Sequence, residues 1–248
     1  MLPAFLMIPY TFSSIPYTKT ISQNTGGKPM IRLIKKLIKL GLIIALLVGS
    51  IIGLLGYFKY KEAITETPLN SKVASIRADE NFVSLEEITP DFTDAVVAIE
   101  DHRFYKHGAF DFISLARATF VNLTATGVTQ GGSTLTQQAA KNLYFSNDRT
   151  FIRKVAELFV AFDLERIYNK DDILELYVNI IYYGAGNYGI KEASENYFGK
   201  TPAELSYDEA TLLAGLPQAP SAYALNSNND KAKQRQSEVI KALTEYRK

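Results

Sequence analysis

The sequence contains no cysteine, and this absence removes two classes of site. Neither a disulfide framework nor a thiolate metal site can form, and the redox compartment stays undetermined. The first 58 residues also lack any acidic side chain, although they carry six basic ones. The rest of the chain holds 21 basic and 26 acidic side chains, a net charge of −5. A slightly acidic domain lacks the basic surface that nucleic-acid binding needs, so we predict no nucleic-acid partner.

The alternation of apolar and polar residues that is typical of half-buried strands is also missing. Apolar residues recur instead at helical spacing over 151–162 and 173–180. A short helix is expected over 209–216, where Pro217 ends it. No internal repeat is visible, and glycine punctuates the segment 184–189. The sequence therefore predicts one mainly α-helical domain.

Nineteen uncharged residues run from Leu40 to Phe58. As a helix they would span roughly 28 Å at about 1.5 Å per residue, close to the hydrocarbon thickness of about 30 Å. Basic residues precede the run, and positive residues stay cytoplasmic, so we predict a single-pass cell-membrane protein with its N-terminus inside and its folded domain outside. A cleaved signal peptide is the alternative, but the run is long for one and no small-x-small cleavage site precedes Lys59.

Five segments are predicted along the chain. They are a basic cytoplasmic segment over 1–39, a transmembrane helix over 40–58, a stalk with little core over 59–83, a folded domain over 84–226, and a charged, solvated C-terminal helix or tail over 227–248.

Two polar clusters in the first half of the domain carry candidate chemistry. In the cluster 100–111 an acidic pair follows an apolar helix, and a partly desolvated carboxylate is a candidate base. In the cluster 130–142 two glycines open a helix whose backbone N–H groups can face an anion, and Lys141 adds a positive charge. This cluster lacks the Gly-Lys-Ser/Thr ending of a nucleotide-binding P-loop. Taken singly, each cluster also fits surface salt bridges or an ordinary helix cap.

Two further clusters follow. Arg149 precedes Arg153 and Glu157, which lie four residues apart and could simply pair along a helix. The segment 170–179 on its own is a helix with a charged first turn and a polar end.

Taken together and in order, the clusters resemble the glycosyltransferase domain of class A penicillin-binding proteins and their monofunctional relatives, glycosyltransferase family fifty-one. The resemblance runs from about Ser84 to Asn226. The matching motifs are Glu100-Asp101-x-x-Phe104-x-x-His107 with Asp111, Gly131-Gly132-Ser133-Thr134-Leu135-Thr136-Gln137-Gln138 with Lys141-Asn142, Arg153-Lys154-x-x-Glu157, Lys170-x-x-Ile173-Leu174-Glu175-x-Tyr177-x-Asn179, and Glu209-Ala210 through Tyr223.

One position departs from the family's pattern. Ala109 stands where the family usually has glycine, so we expect its backbone to avoid the left-handed conformation that glycine tolerates.

The resemblance implies a lysozyme-like fold with a small membrane-associated jaw lobe over 110–128, for which a buried helix is the alternative. It also implies that the chain polymerises lipid II into β-1,4-linked glycan strands, with inversion and release of undecaprenyl pyrophosphate. The implied partners are lipid II, the growing lipid-linked glycan, the membrane and other cell-wall synthesis and division proteins. No cofactor or metal site is expected, although a divalent cation could stimulate the reaction. Moenomycin, which resembles the lipid-phosphate donor, is expected to inhibit it.

The resemblance also assigns roles to residues. Glu100 is the expected base, and Glu157 is the second essential carboxylate. The residues expected to bind sugar or pyrophosphate are Lys141, Arg149, Arg153, Ser133, Thr134, Gln137, Gln138, Asp101 and Lys154. Structural support is expected from Phe104, His107, Asp111, Glu175, Tyr177 and Asn179.

Two other functions remain open. A lytic transglycosylase or muramidase also uses one key glutamate on a similar fold, but a glycan-cleaving site does not need the cationic cluster. A non-catalytic anchor would not need both Glu100 and Glu157. The Ser-x-x-Lys motif of a transpeptidase does not occur in the 248 residues, so we expect no peptide cross-linking.

Overall fold

A computed structural model describes residues 27–124, 131–145, 150–225 and 229–248, and these residues are mostly helical. This confirms the predicted mainly α class. The helices are α1 (Gly27–Glu66), α2 (Leu69–Arg77), α3 (Pro90–Glu100), α4 (Phe112–Thr124), α5 (Leu135–Tyr144), α6 (Phe151–Ile167), α7 (Lys170–Ile180), α8 (Gly189–Phe198), α9 (Tyr207–Gly215), α10 (Pro220–Tyr223) and α11 (Asn229–Tyr246). Single 3₁₀ turns lie at Leu85–Glu87, Phe104–Lys106 and Leu216–Gln218.

The glycine-punctuated segment 184–189 forms the turn and second strand of a small antiparallel hairpin, which the sequence pattern did not indicate. Strand β1 (Tyr182–Gly184) pairs with β2 (Asn187–Tyr188). Strands of three and two residues are too short to display an alternation. Gly189 follows at φ +80°, and a Cβ there would lie 2.6 Å from the Asn179 carbonyl oxygen, so both the backbone angle and the close approach require glycine.

The chain divides into two compact units, Met1–Val48 and Gly49–Lys248. Among the described residues one helix, Met30–Glu66, is long and apolar enough to cross a membrane, as the sequence predicts. It begins before the predicted residue 40 and continues past residue 58 without a break. Residues 1–26 of the predicted cytoplasmic segment lie outside the described part.

The expectation of a stalk with little core over 59–83 is wrong. Tyr60 is buried against Phe159, and its hydroxyl donates to Asp163 Oδ2 at 2.5 Å. Leu69 and Val73 of α2 are buried as well. The charges of this segment and its proline favour a stalk, but Pro68 only separates α1 from α2, and both helices bury side chains in the domain.

The C-terminal helix α11 also belongs to the core, so the expectation of a solvated tail is wrong. Helices α3, α9 and α11 pack on one another, and α5 packs on α6 and α7. Ala232, Val239 and Leu243 are buried. These three residues recur at helical spacing and form one apolar stripe that faces α3 and α9. The charged, Gln-rich composition of α11 makes this stripe hard to recognise in the sequence.

The end of α1 closes on α6 at Gly56. A Cβ added there would lie 2.5 Å from Val155 Cγ1, whereas a Cβ at Gly53 would meet no atom within 4 Å. We therefore expect Gly56→Ala to lower the free energy of unfolding by about 1–3 kcal/mol relative to Gly53→Ala, because an added methyl overpacks the contact. Thermal unfolding in detergent measures the difference. Equal stability of the two variants would contradict the close α1–α6 contact.

Candidate active site

A buried carboxylate, Asp101, joins the end of α3 to the start of α5. Its Oδ2 accepts the backbone N–H of Leu135 at 2.9 Å, and its Oδ1 lies 2.7 Å from His107 Nε2. The sequence suggested that the start of α5 could face an anion. The anion found there is the protein's own carboxylate, which satisfies one of the N–H groups that a helix start leaves open.

The His107 side chain is buried between two oxygen atoms. Its Nδ1 lies 2.7 Å from the Gly108 carbonyl oxygen, and its Nε2 faces Asp101. Only an imidazolium can donate from both ring nitrogens. Burial by itself lowers the pKa of His107, but the bonds to Asp101 and Gly108 outweigh it and raise the pKa above its ordinary value.

Asp111 holds the other end of the first motif. It accepts bonds from Arg103 Nε at 3.0 Å, Ser114 Oγ at 2.6 Å and the Ile113 N–H at 2.9 Å. Burial acts to raise the pKa of Asp111, but these bonds lower it to about 2. Asp101, His107 and Asp111 lie close enough to hold a cation. Because the described residues already engage their polar atoms, the group fits a hydrogen-bond network better than a metal site.

Ala109 connects the first two motifs through its carbonyl oxygen. Thr134 Oγ1 donates to this oxygen at 3.1 Å, and Gln137 Nε2 donates at 3.0 Å. Ala109 is not among the described residues with positive φ, as expected for an alanine in place of glycine. Thr134 Oγ1 and Gln137 Nε2 are thus occupied within the protein, although both residues line the cleft described below.

Glu100 is the last residue of α3, and its side chain is 11% exposed. Its Oε2 accepts from Gln138 Nε2 at 2.8 Å, and Gln138 Oε1 accepts from the Tyr177 hydroxyl at 3.3 Å. Burial raises the pKa of Tyr177 well above its usual range, so the hydroxyl keeps its proton and donates. Tyr177 therefore orients the Gln138 amide, and Gln138 orients Glu100.

The Glu157 side chain is 1% exposed and pairs with two cations of α6. Its Oε1 is 2.6 Å from Arg153 Nη1, and its Oε2 is 3.1 Å from Lys154 Nζ. Lys154 Nζ also donates to Ser133 Oγ at 2.8 Å. Burial lowers the pKa of Lys141, and the charge of Glu157 partly opposes that shift. Glu157 thus holds the basic side chains that face the cleft.

One cleft of about 810 Å³ collects these groups. Its lining includes Glu100, Asp101, Arg117, Gly131, Gly132, Ser133, Thr134, Gln137, Gln138, Lys141, Arg153, Lys154 and Arg235. A carboxylate and several cations therefore share one solvent-accessible space. Arg149, expected among the cations, lies outside the described residues.

A second cavity of about 900 Å³ shares Gln138 and Lys141 with the first. The tilted ring pair of Tyr182 and Tyr188, with centroids 4.8 Å apart, also lines it, as does the segment 217–222. The fifth motif therefore contributes to a space next to Glu100.

Comparison with known sequences agrees with this arrangement. A profile of the family described as "Transglycosylase" matches residues 69–244. The chain belongs to the transglycosylase family. The predicted resemblance to the glycosyltransferase domain of class A penicillin-binding proteins is confirmed, and the matched range includes α2 and most of α11.

Relatives of this chain differ in length. Penicillin-binding protein 2D of Bacillus subtilis is 47% identical over 162 residues, covering 65% of this chain and 23% of that protein. Penicillin-binding protein 1A of Escherichia coli is 42% identical over 161 residues, covering 65% of this chain and 19% of that protein. A Cupriavidus necator protein named as a transglycosylase is 41% identical over 204 residues, covering 82% of this chain and 88% of that protein. The chain thus spans less than a third of these penicillin-binding proteins.

Arg235 of α11 is a site residue that the sequence analysis missed. It is 8% exposed, lines the cleft, and places Nη2 3.7 Å from Glu100 Oε1. A signal was present, because Arg235 lies three residues after the buried Ala232 and four before Val239. Helical spacing places all three on one face of this helix.

Most residues of the fourth motif lie away from the cleft, where they bond other parts of the domain. Glu175 Oε2 accepts the Leu85 N–H at 3.1 Å, and Asn179 bonds both backbone groups of Val83. Phe104 is buried, with Lys170 Nζ 4.3 Å from its ring centre. Of the residues predicted in this motif, Tyr177 alone reaches the site, through Gln138.

Helix α4 exposes its apolar side chains. Phe112, Ile113 and Phe120 are more than half exposed, while Ser114 and Arg117 face the cleft. The alternative of a buried helix is therefore wrong for the described part of the predicted jaw lobe. Residues 125–128 of that lobe lie outside the described part, and its contact with a membrane stays a prediction.

The His107 contacts predict a specific titration. We expect a pKa above the ordinary value of about 6.5, measured by NMR on the His102→Gln variant so that one histidine signal remains. A raised pKa stabilises the fold below about pH 6.5, and the effect is lost as pH rises through the folded-state value. His107→Gln should therefore lower the free energy of unfolding by about 1.5–3 kcal/mol in acid and by less in alkali. A pH-independent difference would contradict the imidazolium.

Proposed function

We propose that the chain is a peptidoglycan glycosyltransferase that polymerises lipid II into β-1,4-linked glycan strands, inverts the donor's anomeric centre and releases undecaprenyl pyrophosphate. The observation that carries this proposal is the shared cleft. Glu100 and the cations Lys141, Arg153 and Lys154 all line it. Family membership supports the same reaction class.

The two adjoining cavities fit the need for two substrates. Both contain Gln138 and Lys141, so a bound molecule in either cavity lies next to the proposed reaction centre. The paired rings of Tyr182 and Tyr188 offer an apolar face to a sugar. A growing glycan and an incoming lipid II unit can thus meet at Glu100.

In the proposed mechanism, the acceptor's 4-hydroxyl attacks the anomeric carbon of the lipid-linked donor. Its O–H bond breaks and the proton passes to Glu100, because a neutral sugar hydroxyl is a poor nucleophile. The new C–O bond forms as the bond to the donor phosphate breaks, and the electron pair leaves with the pyrophosphate. Lys141 and Arg153 stabilise this leaving anion electrostatically. Glu157 acts as a positioning residue beneath them.

The same site argues against glycan cleavage as the main activity. A departing alcohol needs a proton donor, whereas a departing pyrophosphate needs the positive charge that Lys141, Arg153 and Lys154 provide. Transpeptidation is no part of the proposal, because Ser-x-x-Lys does not occur in these residues. Consumption of lipid II separates a synthase from a lytic enzyme, which shortens finished glycan.

We further propose that α1 anchors the chain as a single-pass membrane protein with its N-terminus in the cytoplasm and the cleft on the outer face. The basic residues that flank the apolar run support this orientation. The exposed apolar face of α4 would dip into the outer leaflet near the lipid substrate. No cofactor is needed for the proposed steps, a divalent cation could assist the pyrophosphate, and other wall-synthesis proteins are candidate partners.

Glu100→Gln tests the base directly. The variant keeps size and hydrogen-bonding capacity but cannot take a proton, so polymerisation of labelled lipid II should fall by about 10²–10⁴-fold. Binding of labelled moenomycin should persist. Glu195→Gln, at an exposed site on α8, is the matched control and should retain wild-type rate. Near wild-type polymerisation by Glu100→Gln would remove Glu100 from the mechanism.

The lowered pKa of Lys141 predicts an alkaline limit on activity. Deprotonation of Lys141 removes a charge that the leaving pyrophosphate needs, so kcat/KM should fall as pH rises through this lowered pKa. Lys141→Ala should lower kcat/KM by about 10²–10³-fold at neutral pH. Lys141→Arg keeps its charge and should move the alkaline limb to higher pH. If the limb stays in place in Lys141→Arg, another group causes it.

A further inference from the structure

The two oxygens of Glu100 have different environments. Oε2 accepts from Gln138, whereas Oε1 is buried and has no hydrogen-bond partner among the described residues. Among the described residues the cation nearest to Oε1 is Arg235, whose Nη2 lies 3.7 Å away. A separation of 3.7 Å is too long for a direct hydrogen bond, which needs about 2.7–3.2 Å.

Arg235 is held in this position by two neighbours. Its Nη1 lies 2.6 Å from Glu238 Oε2, whereas Nη2 is the nitrogen nearest Glu100 Oε1. Its stem packs on Gly215 of α9, where an added Cβ would lie 2.9 Å from Arg235 Cγ. The side chain is 9% exposed. The guanidinium is therefore prepositioned with Nη2 directed towards Glu100.

We propose that Glu100 Oε1 and Arg235 Nη2 together bind the acceptor sugar's attacking hydroxyl, which makes Arg235 a catalytic residue. This inference rests on the proposed function. Because Oε1 is closed to solvent in this structure, binding requires the Glu100 carboxylate to turn Oε1 towards the cleft. An oxygen atom can then lie about 2.8 Å from both atoms at once across a gap of this width. The hydroxyl donates its hydrogen to Oε1 and accepts a hydrogen bond from Nη2.

The arrangement also suits the chemistry. As the hydroxyl proton moves to Oε1, negative charge develops on the sugar oxygen, and the Arg235 guanidinium stabilises that charge. The second lone pair of the oxygen stays available to form the bond to the donor's anomeric carbon. The donor's bond to phosphate breaks as before, and Glu100 later returns its proton to solvent.

The test compares Arg235→Gln, Arg235→Lys and Arg247→Gln in the full chain in detergent. Arg247 is the matched control, because it also links the C-terminal helix to α3, by ion pairs with Asp91 and Asp94 away from Glu100. We expect Arg235→Gln to lose about 10²–10³-fold in turnover of labelled lipid II, with partial recovery in Arg235→Lys. Labelled moenomycin should bind Arg235→Gln as it binds wild type.

Each outcome decides a separate point. Turnover by Arg235→Gln within a few fold of wild type would overturn the role of Arg235 and leave the proposed function intact. Equal losses of turnover and of thermal stability in Arg235→Gln and Arg247→Gln would assign Arg235 to helix packing alone. Wild-type protein that leaves lipid II unchanged would overturn the proposed function and this inference together.

Discussion

The hydrogen bonds of the buried Asp101 carboxylate set the geometry on which the rest of the site depends. They join the end of α3 to the start of α5 and engage the His107 imidazole. Because Glu100 immediately precedes Asp101, and Gln138 and Lys141 lie one and two turns into α5, this one carboxylate helps to set the distance from Glu100 to Gln138 and Lys141. Its loss would leave the buried Leu135 N–H and His107 Nε2 without their acceptor, which costs more than the bonds themselves contribute.

Glu157 on α6 compensates the repulsion between the basic side chains at the cleft. Arg153 and Lys154 project towards the cleft near Lys141, and like charges at such short range repel. A carboxylate buried without partners would itself be strongly destabilising, but two cations at 2.6 and 3.1 Å compensate its lost hydration. The attraction of Arg153 and Lys154 to Glu157 opposes the repulsion between the cations. The cationic surface is therefore in place before an anionic ligand binds, and binding needs little reorganisation.

The sequence was informative where short motifs and helical spacing coincide. The helices that carry Glu100 and Glu157 follow from their apolar period, and the family follows from the order of the motifs. The sequence was less informative where partners come from distant segments. The position of Arg235 beside Glu100 depends on α11 packing against α3 and α9, which composition concealed. Glu175 bonds a loop ninety residues earlier, and no local pattern shows which backbone group a polar helix residue will reach.

Helix α5 carries one further consequence of the Asp101 contact. The aligned peptide dipoles of a helix leave a partial positive charge at its first turn and a partial negative charge at its last. Asp101 bonds the first turn and Lys141 belongs to the last turn, so each charged residue is placed at the end of the helix that favours its sign. The backbone of the helix therefore opposes part of the desolvation that lowers the pKa of Lys141.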